Sequence, residues 1–170
     1  MRRILRRREL VHDDWAYIGE DGVLEIADGI ALIVPFADFR THIQKWRAYQ
    51  GRLGVRLSPA DAVEDLADDI QRLSLVAVEF PSPGEGRGYS QARLLRSRLD
   101  FRGELRAVGA AVKQDLLFIM ARCGFDSFEL APGQKFEDAL LGLDRYSVAY
   151  APAEPVPSVR QQRFYTATRH

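Results

Sequence analysis

The glycine-rich segment PSPGEGRGYS, from Pro81 to Ser90, has the residue types and spacing best suited to chemistry in this chain. Gly84, Gly86 and Gly88 permit backbone conformations that let a ligand approach main-chain amides. A helix is predicted to begin next, and the free amides at a helix start favour a negative charge. Arginine adds charge-assisted hydrogen bonds to oxyanions. We therefore predict an anion-binding site formed by Arg87, Gly88, Tyr89, Ser90, Arg93 and Arg106.

The same segment also fits a purely structural role. Its glycines do not follow the G-x-G-x-x-G order of dinucleotide-binding loops, and no Lys-Ser/Thr pair of a phosphate-binding P-loop follows them. A tight turn that leads into a helix with solvated arginines is therefore the alternative interpretation.

Two residues are weak candidates for proton transfer. Glu79 closes a predicted strand and could act as a general base, although an ion pair with Arg87 or Arg106 is the alternative. Tyr89 could handle a substrate proton. Ser90 has no histidine near it in sequence to activate it, so no catalytic set is predicted and the question of enzyme activity stays open.

The cysteine and histidine content argues against metal and thiol chemistry. Cys123 is the single cysteine, so neither an intrachain disulfide, nor a dithiol redox couple, nor a four-cysteine iron–sulfur site can form within the chain. The histidines are scattered at His12, His42 and His170. We predict no metal site and no cofactor.

Composition limits the classes of partner. The 24 basic and 24 acidic residues balance, which disfavours a nucleic-acid-binding surface. No apolar stretch reaches the roughly 18 residues of a membrane span, and the amino terminus lacks the apolar core of a secretory signal. We therefore expect a cytoplasmic protein. The first eight residues, MRRILRRR, hold five arginines, which are either solvated or dock onto an acidic partner.

The positioning elements follow from hydrophobic patterns. Residues 30–36 and 74–80 are short continuous apolar runs typical of strands buried on both faces. Strand and helix patterns alternate five times, including a helix predicted over 58–73 that is capped by Ser58. We predict an α/β fold, a mostly parallel sheet of about six strands with five crossover helices, curved into a partial-barrel-like arc. A doubly wound open sheet is the alternative.

Three regions are expected along the chain. Residues 1–29 form a basic amino terminus and a β-hairpin signalled by Asp21-Gly22, and residues 30–151 form the α/β domain. Residues 152–170, rich in proline and polar residues, are expected to be extended or disordered. In either sheet topology, the rim where strands end and helices begin is the expected place for a site.

Three segments in this order, GRGYSQARLLR, GELRAVG and RCGFDSFEL, resemble the bacterial family labelled domain of unknown function 934. The resemblance covers about residues 30–150. It implicates residues 87–90 and 92–96, 104–107 and 109, and 122–126. The chain departs from the family pattern at Glu85 and Ala110, where aspartate is common.

The resemblance implies a role beside the assimilatory sulfite reductase, and an oxidoreductase label that rests on that association. Two hypotheses follow. The first is an accessory protein of assimilatory sulfite reduction that binds the reductase or its electron donor. The second is a small α/β enzyme or anion-binding protein with a phosphate or sulfite site at the Gly84–Ser90 loop.

Overall fold

The computed structural model describes residues 2–19 and 29–144. Its elements, in chain order, are β1 (Arg3–Arg6), β2 (Glu9–His12), β3 (Trp15–Tyr17), β4 (Ala31–Pro35), α1 (Phe36–Thr41), α2 (Ile43–Ala48), β5 (Leu53–Leu57), 3-10 helices at Val63–Leu66 and Ile70–Arg72, β6 (Leu75–Glu79), α3 (Arg87–Ser97), β7 (Glu104–Val108), α4 (Leu117–Arg122), β8 (Ser127–Phe128) and α5 (Phe136–Asp144).

One eight-stranded sheet, in the order β2-β1-β8-β7-β6-β5-β4-β3, organises the molecule. Strands β3 to β8 are parallel, and each lies beside the strand that follows it in the chain. A doubly wound sheet would reverse its strand order partway. The consecutive order confirms the predicted arc: a mostly parallel, curled half-barrel with an amino-terminal hairpin, β1 being antiparallel to both β2 and β8.

The curl brings the two edges of the sheet near each other. Strands β2 and β3 lie at opposite edges of the strand order, yet only Asp13 and Asp14 connect them. Three Cα-to-Cα steps reach at most roughly 11 Å, so the edges must approach to that distance. Tyr17 of β3 bridges the gap: its hydroxyl donates to Glu129 (3.1 Å), and the Arg2 guanidinium carbon lies 4.4 Å from its ring centre.

The two faces of the sheet bury different groups. The outer face packs against the helices and forms the larger core, which includes Leu57, Val78 and Leu105. The inner face encloses a smaller apolar cluster: Trp15, Tyr17, Ala31, Ile33, Leu75, Ala77 and Val108. Because side chains alternate along a strand, Arg106 of β7 points to the inner face while Leu105 points outward.

The prediction of one helix over residues 58–73 is wrong. The chain forms the two short 3-10 helices at Val63–Leu66 and Ile70–Arg72, with backbone hydrogen bonds between residues three apart. Asp69 explains the difference, because it is buried and accepts two hydrogen bonds from Arg47 (2.8 and 2.9 Å). Turning Asp69 inward gives a three-residue repeat of buried positions, which suits the 3-10 helix.

The amino-terminal hairpin is present, but its described turn lies at Arg7 and Arg8, both of which have positive φ (49° and 69°). Such a two-residue turn matches the twist of a hairpin. The predicted turn at Asp21-Gly22 and the predicted tail at 152–170 lie outside the described residues, as does the last of the expected strands, for which the apolar pattern is SVAY at 147–150. The first strand of the parallel part of the sheet is β3, which precedes the strand predicted within residues 30–36. Within the described residues, no helix combines the length and apolar character that a membrane crossing requires.

Candidate functional site

A cavity of about 440 Å³ opens at the carboxyl ends of β3 to β6. Parallel strands place these ends along one rim, which is where sites in such folds lie. The polar residues that line this mouth cavity are Tyr17, Arg56, Ser58, Asp61 and Glu79. The rim that was predicted to hold a site therefore contains a cavity. The cavity lies at the ends of β3 to β6, whereas the residues of the predicted anion site lie on α3 and β7.

An ion pair joins two neighbouring strands in the lining of the cavity. Arg56 of β5 lies opposite Ala77 of β6, so Glu79 stands two residues further toward the rim on the same face. The Arg56 Nη2 atom lies 2.9 Å from Glu79 Oε1, and the side chains are 24% and 26% exposed. Of the predicted candidates, Glu79 alone lines the cavity, and its partner is Arg56 rather than Arg87 or Arg106.

One wall of the cavity is a turn fixed from behind by α3. The Ser58 amide donates to the Asp61 carboxylate at 2.6 Å. The buried side-chain amide of Gln91 donates to the carbonyls of Ser58 (2.8 Å) and Asp61 (3.0 Å). The Gln91 side-chain oxygen has no hydrogen-bond partner within the described part of the chain. Gln91 therefore positions two cavity residues without lining the cavity.

A second charged assembly, the closure cluster, consists of Asp13, Glu104, Arg106 and Ser127. Arg106 is fully buried and donates to both Asp13 carboxylate oxygens (3.0 Å each) and to Glu104 (2.9 and 3.1 Å). The Ser127 hydroxyl donates to Glu104 at 2.6 Å, and the Arg6 guanidinium lies 3.3 Å from the other Glu104 carboxylate oxygen. Asp13 belongs to the link between the edge strands, so the cluster joins β7 to the point where the sheet nearly closes.

The closure cluster and its surroundings shift two pKa values. Burial opposes ionisation of Glu104, but the charge of Arg106 and the hydrogen bond from Ser127 outweigh it, and the pKa falls below its ordinary value of 4.5. Burial, followed by the charge of Glu129, raises the pKa of Tyr17 well above its ordinary value. The inner face thus holds an ionised Glu104 and a neutral phenol at neutral pH.

The start of α3, predicted to bind an anion, is occupied by the protein's own groups. The Arg87 amide donates to the Glu85 carboxylate at 3.0 Å, which is where an anion would sit. The Arg87 side chain is 70% exposed. A methyl group at Gly88 would come within 2.5 Å of the Phe80 ring, so this glycine allows α3 to pack closely on β6. Close packing accounts for Gly88 without a ligand.

The remaining predicted residues do not gather with Arg106. Ser90 and Arg93 are exposed on α3, on the outer side of the sheet, whereas Arg106 is buried on the inner face. Tyr89 packs edge-on against Phe80, with ring centres 5.0 Å apart. Burial, together with neighbouring Cys123 and Asp115, raises the pKa of Tyr89. The structure therefore brings five of the six predicted anion-binding residues together on one helix, and separates the sixth.

The segments that carry the family resemblance largely hold the fold together. Arg96 donates to the backbone carbonyls of Phe101, Gly103 and Gly124 and to the Asp126 carboxylate. Gly124 has a φ of 106°, which favours glycine. These contacts join all three segments into one packing unit.

Burial raises the pKa of Cys123, so its thiol is not activated. Across residues 2–19 and 29–144, no group of three His, Cys, Asp or Glu side chains is arranged to hold a metal ion.

Sequence reasoning missed Arg56, Asp61 and Gln91 in the site, and Asp13 in the closure cluster. One signal was available: Arg56 and Arg106 each interrupt a short apolar strand. Charged residues are rarely buried without a partner, so an arginine in such a strand indicates a carboxylate nearby. The identity of that carboxylate depends on strand neighbours, which the pattern alone does not supply.

A bacterial family described as a protein of unknown function, DUF934, matches residues 54–159, from β5 to beyond α5. No protein with curated annotation matches the chain. The matched region covers well over half of the chain and includes the three segments that resemble the family. The chain therefore belongs to the DUF934 family of bacterial proteins.

Proposed function

We propose that this protein binds a small polar molecule in the mouth cavity. The observation that supports this most directly is the partly exposed Arg56–Glu79 pair inside a cavity of about 440 Å³. Ligand cavities commonly measure roughly 300–1,000 Å³ and place a few polar groups among apolar walls. Ile33 and Pro35 provide such a wall here.

Binding is favoured over catalysis by the placement of the proton-handling candidates. Glu79 is engaged by Arg56, and Tyr89 lies on α3 outside the cavity. Acid–base catalysis requires a group within hydrogen-bond reach of the proton that it transfers. The two candidates therefore cannot act on one substrate molecule in this cavity.

Protein NMR with a library of small polar molecules tests this function. We expect ligands to shift the amide signals of residues around Arg56 and Glu79, and Arg56→Met to abolish the shifts. Arg102→Met is the matched control, because Arg102 forms an exposed ion pair with Asp100. Shifts confined to other surfaces, across the whole library, would contradict the proposal.

A second candidate function is that of an accessory protein in the cytoplasm, docking onto the assimilatory sulfite reductase or its electron donor. Two observations support it: the resemblance described above, and the exposed side chains of Arg7 and Arg8 at the tip of the hairpin. A basic turn fits an acidic partner, and such contacts weaken as salt rises.

Co-purification with a tagged reductase tests this docking. We expect a complex at low salt that weakens at high salt and is lost in an Arg7→Glu, Arg8→Glu variant but kept in Arg102→Glu. Failure of two folded proteins to associate at low salt would refute it, whatever the mouth cavity binds.

A further inference from the structure

We propose that the mouth cavity takes a small zwitterion, a free α-amino acid or a close analogue. This inference rests on the proposed binding function and adds the chemical class of the ligand. It is carried by the charges and the geometry of Arg56, Glu79 and Asp61, and by the wall that Gln91 holds in place.

The charges in the cavity disfavour a bare oxyanion. Its described lining carries one cation, Arg56, and two anions, Glu79 and Asp61. An oxyanion that approaches Arg56 meets the Glu79 carboxylate, which lies 2.9 Å from the guanidinium. A simple cation that approaches Glu79 is repelled by the positive charge of Arg56. A ligand with both charges satisfies both groups.

The geometry of the pair matches an amino acid. Guanidinium and carboxylate lie side by side on neighbouring strands and point to the same cavity. An α-amino acid carries its carboxylate and its ammonium on the same carbon atom. It can lie across the pair with its carboxylate facing Arg56 and its ammonium facing Glu79, so that the four charges alternate in sign. Arginine's planar fork suits the carboxylate, and the existing ion pair is kept.

Asp61 and Ser58 supply further polar groups for an ammonium. One Asp61 carboxylate oxygen accepts the Ser58 amide, and a carboxylate has about four acceptor positions. Gln91 holds both residues through their carbonyls. The apolar lining at Ile18 and Ile33 leaves room for a short side chain. A peptide amino terminus lacks the adjacent carboxylate, so the free amino acid fits better.

Isothermal titration at millimolar ligand concentration tests the inference. The probes are L-serine and L-cysteine, their N-acetyl and carboxamide forms, and sulfite, sulfate and phosphate. We expect the free amino acids to bind and either blocked form to bind about tenfold more weakly or worse, since each blocked form loses one charge contact. We also expect Arg56→Met and Glu79→Gln to weaken binding to at least that extent, while Arg102→Met and Asp100→Asn leave it unchanged.

Each contrary outcome has a definite meaning. The zwitterion proposal is overturned if the N-acetyl forms bind as tightly as the free amino acids, or if neither L-serine nor L-cysteine binds. Oxyanion binding that is lost in Arg56→Met also overturns the zwitterion proposal, but it supports the mouth cavity as a binding site. Oxyanion binding that is lost only in Arg87→Ala assigns the ligand to the start of α3 instead. If Arg56→Met fails to fold, Arg56→Lys, which keeps the charge but loses the fork, is expected to bind with intermediate affinity.

Discussion

Two arginine–carboxylate assemblies share the inner face of this half-barrel and differ in almost every physical respect. The side chains of Arg106 and Asp13 are fully buried, whereas those of Arg56 and Glu79 remain about a quarter exposed. Arg106 lies in the middle of its strand, and Glu79 is the last residue of its strand. Position along the strand, rather than residue type, separates the group that closes the fold from the one that lines the mouth cavity.

The buried assembly sets geometry more than it adds stability. Replacing a complete buried ion pair with apolar residues is often neutral, whereas removing one partner is costly. Arg106 holds Asp13, and Asp13 belongs to the two-residue link between the sheet edges. We infer that the closure cluster determines where β3 comes to rest against the rest of the sheet.

Removing Arg106 should produce the largest effect. Arg106→Met leaves the buried Asp13 carboxylate without its principal partner, so the free energy of unfolding should fall by about 3–5 kcal/mol. Urea denaturation followed by tryptophan fluorescence measures it. The matched Arg102→Met should change stability by less than about 0.5 kcal/mol. A similar loss of stability in Arg102→Met would show that the burial of Arg106 does not determine the size of the effect.

Gln91→Leu should have the next largest effect on stability. It should also affect the mouth cavity, because Gln91 holds the turn that forms one wall of it. The carbonyls of Ser58 and Asp61 lose their side-chain donor, which should cost about 1–3 kcal/mol. Ligand binding at the mouth should weaken as well. Gln50→Leu is the control, because Gln50 is exposed and donates to a carbonyl two residues away. If both variants keep full stability and binding, α3 does not position the wall.

Acid should destabilise the protein by a smaller amount through Glu104. The folded-state pKa of Glu104 lies below its ordinary value of 4.5, so the unfolded chain takes up the proton first as pH falls. The contribution of Glu104 is therefore complete above that value and lost as pH falls through the folded pKa. Urea unfolding of wild type and Glu104→Gln over the range of about pH 6 to 3 should show a shallower decline in the variant. Equal slopes would argue that other carboxylates dominate.

The smallest effect on stability is expected at the mouth itself. Arg56→Met removes a partly exposed ion pair, and such pairs contribute about 0–1 kcal/mol. Thermal unfolding should therefore be almost unchanged while ligand titration shows the loss of binding. If Arg56→Met lowered stability as much as Arg106→Met, the Arg56–Glu79 pair would have a structural role instead.

The alternation of apolar runs and helix patterns predicted a mostly parallel sheet and left two topologies, the preferred arc and a doubly wound sheet, because consecutive parallel strands with short connections have few arrangements. The parallel pairing of β3 with β4 was not predicted, since the residues of β3 were expected in the amino-terminal hairpin and β4 follows only after residues 20–28 of the chain. The mouth cavity depends on side chains from four strands, which meet only once the sheet order is known.

The glycine-rich segment shows that a local pattern does not reveal every reason for a glycine. Gly109 has a φ of 110°, and an added methyl group would come within 2.6 Å of the Phe80 carbonyl. Gly88 lies against the ring of the same phenylalanine. Gly88 and Gly109 therefore both make room for Phe80, a partner that the spacing of Gly84, Gly86 and Gly88 does not reveal.

The pairing of β1 with β8 has a consequence for synthesis on the ribosome. Leu5 pairs with Phe128, so the hairpin emerges first but waits for a partner made more than a hundred residues later. During that wait its open edge is exposed to other nascent chains. Arg3 and Arg6 place positive charge on this strand and Arg7 and Arg8 add charge at its turn, and charge on an unpaired strand discourages intermolecular pairing. We therefore expect the arginines of β1 and of its turn to disfavour intermolecular pairing of this edge until β8 has been translated.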